Sequence, residues 1–148
     1  MQTDEMVKYA QIFGYSVAGV SFMLSAFAYY KNNRVKRGEW LKALHEKFFE
    51  SDNYKETRKA IEYEELDSFL NINDKGEVQN RSNEEKLVDY LNFFEFISVL
   101  QKRKHINQDE VKDLFGYFFK SIQSSAFLNR YAENYGFENL SKALNDYQ

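Results

Sequence analysis

The chain has 148 residues, with 20 Lys and Arg against 23 Asp and Glu, 14 Phe, 11 Tyr, no cysteine and no proline. The missing cysteine rules out disulfides, thiolate metal sites and cysteine nucleophiles, and the missing proline suits long uninterrupted helices. Residues 31–37 carry four positive charges and no negative one, whereas residues 38–148 hold 15 Lys and Arg against 21 Asp and Glu, a balance of −6. A domain so acidic is a poor binder of duplex nucleic acid, since such affinity comes mostly from phosphate neutralisation.

The chain opens on a short tail, residues 1–8, with Asp4 and Glu5 against one Lys8. Residues 9–30 follow without a single charge. As a helix they would rise roughly 33 Å, against a hydrocarbon core of about 30 Å. Tyr9 stands at one end and Tyr29 and Tyr30 at the other, where amphipathic rings suit the headgroup level. A buried core helix would show ionisable residues on one side, and this segment has none. A cleaved secretion signal would use Ala26-Phe27-Ala28, an A-x-A pattern. Against that reading, the tail has no basic region, and Lys31, Arg34, Lys36 and Arg37 lie just after the cut, where positive charge resists translocation. The segment reads as a single transmembrane helix in the inner (cytoplasmic) membrane, with the tail outside and residues 38–148 in the cytoplasm. The basic collar, residues 31–37, sets that orientation and faces anionic membrane lipid.

Within the span, Gly14, Ala18, Ser21, Ser25 and Ala28 are spaced 4, 3, 4 and 3 apart. Association in lipid depends on close backbone approach, so a seam of small residues at this spacing predicts a homo-oligomer formed through the spans.

After the collar every segment reads as helix, and none shows sustained period-two alternation. Trp40, Leu41, Leu44 and Phe48 mark one face of a first helix continuing from the span. Asp52 opens a second, running to Leu70 with Ile61, Leu66, Phe69 and Leu70 inward. Residues 71–83 are polar, contain Gly76 and read as the main loop, closed by a Ser82–Glu85 capping box. The helix that follows, to Lys104, is apolar nearly all round, which marks it as central. Its polar stripe is Glu85, Asp89, Asn92 and Glu95, read as a solvated face with Asn92 and Glu95 tying the helix to neighbouring backbone. Asn107 and Glu110 make a second capping box before a helix with Val111, Leu114, Phe115, Phe118 and Ile122 inward. Phe127, Leu128, Tyr131 and Tyr135 form a short helix ended by Gly136, and Phe137, Leu140, Leu144 and Tyr147, spaced 3, 4 and 3, form the last. The fold class is all-α: one transmembrane helix plus a five- or six-helix cytoplasmic bundle.

Residues 90–119 resemble the core of a family of small bacterial proteins of unknown function that pair one N-terminal span with a helical cytoplasmic domain. The resemblance lies in Asn92-Phe93-Phe94-Glu95, the hydrophobic turn after it, and the stretch from Ile106 to Val111 that leads into the next helix. Where that family usually has a glycine in the turn, this chain has Lys104-His105. The layout is also similar to membrane-bound effectors of CRISPR defence, which implies antiviral defence and recognition of a cyclic nucleotide.

Catalytic patterns are missing from the sequence. Placing Gly76 at the glycine of a calcium loop puts Lys75 and Ser82 where oxygen ligands belong. His45 and His105 have no partner at metal-ligand spacing. No nucleophile elbow or phosphate loop is present. No enzyme, metal or cofactor is therefore expected. One cluster remains: Lys102, Arg103, Lys104 and His105 stand directly before the helix that begins near Asn107. A helix N-terminus with cations beside it makes an anion site, although the same residues also offset the dipole of the preceding helix. Arg130, between Leu128 and Tyr131, is a second candidate. Two functional readings follow: a sensor-effector whose oligomer binds a small anionic ligand, or an adaptor that tethers a protein partner at the membrane and binds no small molecule.

Overall fold

A computed structural model describes the backbone of residues 2–147 and the side chains of residues 21, 23–29 and 31–147. The chain divides into two units, residues 1–40 and 41–148.

The first unit belongs to helix α1 (Gln2–Glu50), whose last turns, from Leu41, belong to the second. Among the described residues, no helix is long and apolar enough to cross a membrane. Side chains 9–20, 22 and 30 of the expected span lie outside those residues, and so do Gly14 and Ala18 of the seam. The described part of the span is exposed, including Ser21, Ser25, Ala28 and the large side chains of Met23, Leu24, Phe27 and Tyr29. The Ser25 hydroxyl donates to the Ser21 carbonyl at 2.9 Å, which satisfies it within the helix. Lys31, Arg34 and Lys36 are exposed and Arg37 is half-buried.

Among the described residues of the second unit, the regular structure is helical apart from one short bridge. After the end of α1 come α2 (Asp52–Glu62), α3 (Leu66–Leu70), α4 (Arg81–Lys102), α5 (Gln108–Ser124), α6 (Ala126–Asn134) and α7 (Glu138–Leu144), closed by a 3₁₀ turn, Asn145–Tyr147. Helix α4 is the axis, as its near-complete apolar surface requires, and α2, α3, α5 and α7 pack around it. Its inward residues Leu87, Tyr90, Leu91, Phe94 and Ile97 are fully enclosed. At the end of α1, Phe48 enters the same core between Phe93, Phe94, Phe115 and Phe118, with ring centroids 4.8–5.7 Å apart. Trp40, expected on this face, is instead 54 % exposed; among the described residues of α1, Leu41 is the first to be buried.

The helix expected from Asp52 to Leu70 is two. Its N-cap is Ser51, and the chain breaks at Glu64, which adopts a left-handed φ of 57°. Ile61 and Leu66 are five residues apart, so on one continuous helix they would diverge by about 140°. The break lets Ile61 pack against the core while Leu66 and Leu70 are buried in it. The loop after α3 is tied by its own side chains: Asn73 Oδ1 accepts from the backbone N–H of Lys75 and Glu77, and Ile72 pairs with Val78 in an antiparallel bridge. Helix α4 is capped by Asn80, whose Oδ1 accepts from Asn83 N–H at 3.2 Å, so the Ser82–Glu85 box does not form and Ser82 sits in the first turn. Two residues of the right type stood within one turn, and the earlier one took the position.

The remaining elements follow their sequence signals. Asn107 and Glu110 form the capping box of α5. Gly136, at φ 84°, ends α6 in the left-handed conformation glycine tolerates, and Phe137 N–H reaches back to the Ala132 carbonyl. Phe137, Leu140, Leu144 and Tyr147 are all buried. Tyr147 stacks on Phe119 at 4.5 Å, and burial, reinforced by the neighbouring Asp146 carboxylate, pushes its hydroxyl up to about 12. The unfolded chain ionises this group first, near pH 10, so its contribution to stability is whole below that pH and is lost as pH rises toward about 12. Denaturation midpoints followed by circular dichroism should therefore fall across that window. Tyr147→Phe should flatten the fall, and an unchanged slope would count against the burial of this hydroxyl.

Candidate ligand-binding clefts

The basic cluster expected before α5 is divided by the fold. Lys102 closes α4, Arg103 caps it, and Lys104 turns the chain at a left-handed φ of 59°. Lys102 and Lys104 both line a cleft of about 620 Å³ between the end of α4, the start of α5 and α7. Arg103 and His105 are exposed and do not line it. A third cation, Lys142 of α7, completes the cleft, with Asp146 as its one acidic residue.

The opening of α5 contributes less than expected. Asn107 N–H already donates to Glu110 Oε2 at 2.8 Å, the Asn107 side chain takes the N–H of Glu110, and Asp109 adds a negative charge to the same turn. The cations themselves are lightly held. Lys102 Nζ donates to Asn139 Oδ1 at 3.0 Å, and Lys142 approaches Glu138 only to 4.0 Å, both ends of that pair being exposed.

Asn139 is fixed from the other side. Glu95, from the polar stripe of α4, accepts from Asn139 N–H at 3.2 Å, from Asn139 Nδ2 at 2.6 Å and from Leu140 N–H at 2.6 Å. Helix α7 has Phe137 at its N-cap and no side-chain cap of its own, so this carboxylate serves as one. The tie expected of Glu95 is thus present, and Asn92 is exposed. Sequence order hid Lys142: it lies far along the chain, and beside Glu138 it reads as an ordinary i,i+4 surface pair.

Arg130 belongs to a different cleft, of about 750 Å³, between the 71–80 loop, the start of α4 and α6. Here Tyr131 stacks on Tyr135 with centroids 4.2 Å apart and planes 17° apart. Tyr131 donates its hydroxyl to Glu84 Oε1 at 3.1 Å; burial first, and then the Glu84 carboxylate, push that hydroxyl above its usual range. Glu84 also holds Arg81 at 3.4 Å. Among the described residues no group of His, Asp or Glu could hold a metal ion.

A helical bundle built on one apolar axis, with cation-lined clefts, is the class this geometry defines. The chain belongs to the family described as a domain of unknown function, DUF4760, whose profile matches residues 16–131, well over half of the sequence. No curated protein and no solved structure matches it. The family match agrees with the resemblance read from residues 90–119, while the likeness in layout to CRISPR effectors has no counterpart among the comparisons.

Proposed function

We propose that the chain is a membrane-anchored, non-enzymatic sensor-effector whose helical domain binds a small anionic signal and assembles as a homo-oligomer. The observation that carries the reading is the convergence of Lys102, Lys104 and Lys142 on one cleft, in a region whose overall balance is −6. A local cation cluster in an acidic field concentrates an anion where the rest of the surface repels it. The anchor is supported by 22 uncharged residues followed by a basic collar, and by the exposed Met23, Leu24, Phe27 and Tyr29, which form an apolar surface that lipid would cover. The small-residue seam of Gly14, Ala18, Ser21, Ser25 and Ala28 supports assembly through the spans.

The test uses the full chain in detergent micelles, screened by thermal shift against phosphorylated small molecules. A ligand at 100 times its dissociation constant adds about 2.7 kcal/mol of stability. The paired change Lys102→Ala and Lys104→Ala should reduce that shift while leaving the unliganded melt within about 0.5 kcal/mol, as expected of exposed side chains. Loss of the chain from membranes on alkaline carbonate washing would remove the anchor. A melt indifferent to every phosphate would leave the tethering adaptor as the reading.

A further inference from the structure

The cleft beside α6 has a composition that the basic cleft lacks, because it joins an aromatic face to cations. Tyr131 is only 6 % exposed, but its stacking partner Tyr135 is 63 % exposed, so the pair turns one open ring toward solvent. Phe127, half-buried, lies 5.8 Å from Tyr131 and lines the same cleft. A core needs no ring left in this position.

Three cations come to this cleft from three separate elements: Lys75 from the loop, Arg81 from α4 and Arg130 from α6. Two carboxylates also line it, and both are already engaged. Glu84 holds Tyr131 and Arg81, and Glu77 Oε2 accepts from Asn73 Nδ2 at 2.9 Å. Arg130 commits only Nε, to the Ala126 carbonyl at 3.3 Å, and among the described residues no carboxylate pairs with it or with Lys75. The cleft's volume lies inside the usual range for small-molecule sites.

An open aromatic face binds a planar ring by stacking, whatever the ring's hydrogen-bonding pattern. A guanidinium without a carboxylate partner binds phosphate through paired N–H donors. We infer that the α6 cleft binds a nucleoside phosphate, with the base on Tyr135 and the phosphate on Arg130 and Lys75. This goes beyond the function proposed above and uses none of the lysines on which that reading rests.

Calorimetric titration of the full chain in detergent tests it, using the adenine, guanine, cytosine and uracil nucleoside monophosphates, the matching nucleosides, and inorganic phosphate. At least one monophosphate should bind more tightly than both its nucleoside and phosphate alone. Tyr135→Ala should weaken the monophosphate and its nucleoside alike, by about tenfold or more. Arg130→Ala should weaken the monophosphate toward the level of its nucleoside, Lys75→Ala added to it should complete the loss, and both should leave the nucleoside unchanged. Arg130 is exposed, so the circular dichroism melt of Arg130→Ala should match the parent, and Tyr135→Phe, which keeps the ring stacked on Tyr131, should keep both the melt and the binding. Lys102→Ala reads the other cleft and should leave the part of the binding that depends on Arg130 and Tyr135 unchanged. The inference is overturned if no monophosphate binds, if phosphate alone binds as tightly, or if Lys102→Ala weakens the monophosphate as much as Arg130→Ala.

Discussion

Phe48→Ala should destabilise the helical unit by about 3–5 kcal/mol, a large share of the 5–15 kcal/mol typical of a folded domain. Phe48 is wholly enclosed and meets rings from three other helices: Phe93 stacked at 5.1 Å and Phe94 edge-on at 5.4 Å from α4, Phe115 and Phe118 edge-on from α5, and Tyr54 at 6.0 Å from α2. Removing it leaves a cavity lined by large rigid rings that close poorly, and also removes one aromatic face beneath a cation. The Arg58 guanidinium lies 5.2 Å from the centroid of Phe48 and 4.8 Å from that of Phe49. Phe48→Leu keeps most of the volume and should cost far less, about 1 kcal/mol. Urea denaturation of the full chain followed by circular dichroism distinguishes the two. A loss below about 1 kcal/mol for alanine would mean that α1 does not reach this core.

The second large effect is expected at a charged residue. Glu95→Ala should cost about 2–4 kcal/mol, because it removes three hydrogen bonds to one ionised acceptor and leaves the first N–H groups of α7 without a cap. Glu95→Gln keeps an acceptor oxygen but loses the charge, and should fall between alanine and the parent. Amide hydrogen exchange localises the effect: Asn139 and Leu140 should lose protection first, followed by the rest of α7. Asn139 also accepts from Lys102, so the same change should loosen one cation of the basic cleft. Uniform protection with only a shifted melt would argue that the carboxylate acts through general electrostatics rather than as a cap.

The helical character and the last helix were legible because apolar spacing reports directly on burial. Phe137, Leu140, Leu144 and Tyr147 needed no knowledge of their neighbours. The Asn107–Glu110 box was equally local. Misread features were those decided by competition or by distance. Asn80 and Ser82 competed for one cap, and Ile61 and Leu66 could both reach the core only if the chain broke between them. Of the candidate site, Lys102 and Lys104 were found from their position before α5, but Lys142 and Asn139 come from a helix far along the chain. Arg130 was named without its surroundings, since Lys75 and Tyr135 join it only after three elements fold together.

Lys104 places two demands on one residue. Its left-handed backbone is the conformation that glycine adopts freely and that costs other residues about 1 kcal/mol or more. Its side chain is one of three cations in the basic cleft. A selection for heat resistance alone would therefore favour glycine at this position, and the winners would carry a cleft one charge poorer. Thermostabilised versions of this chain are for that reason unsuitable for ligand work unless Lys104 is held fixed.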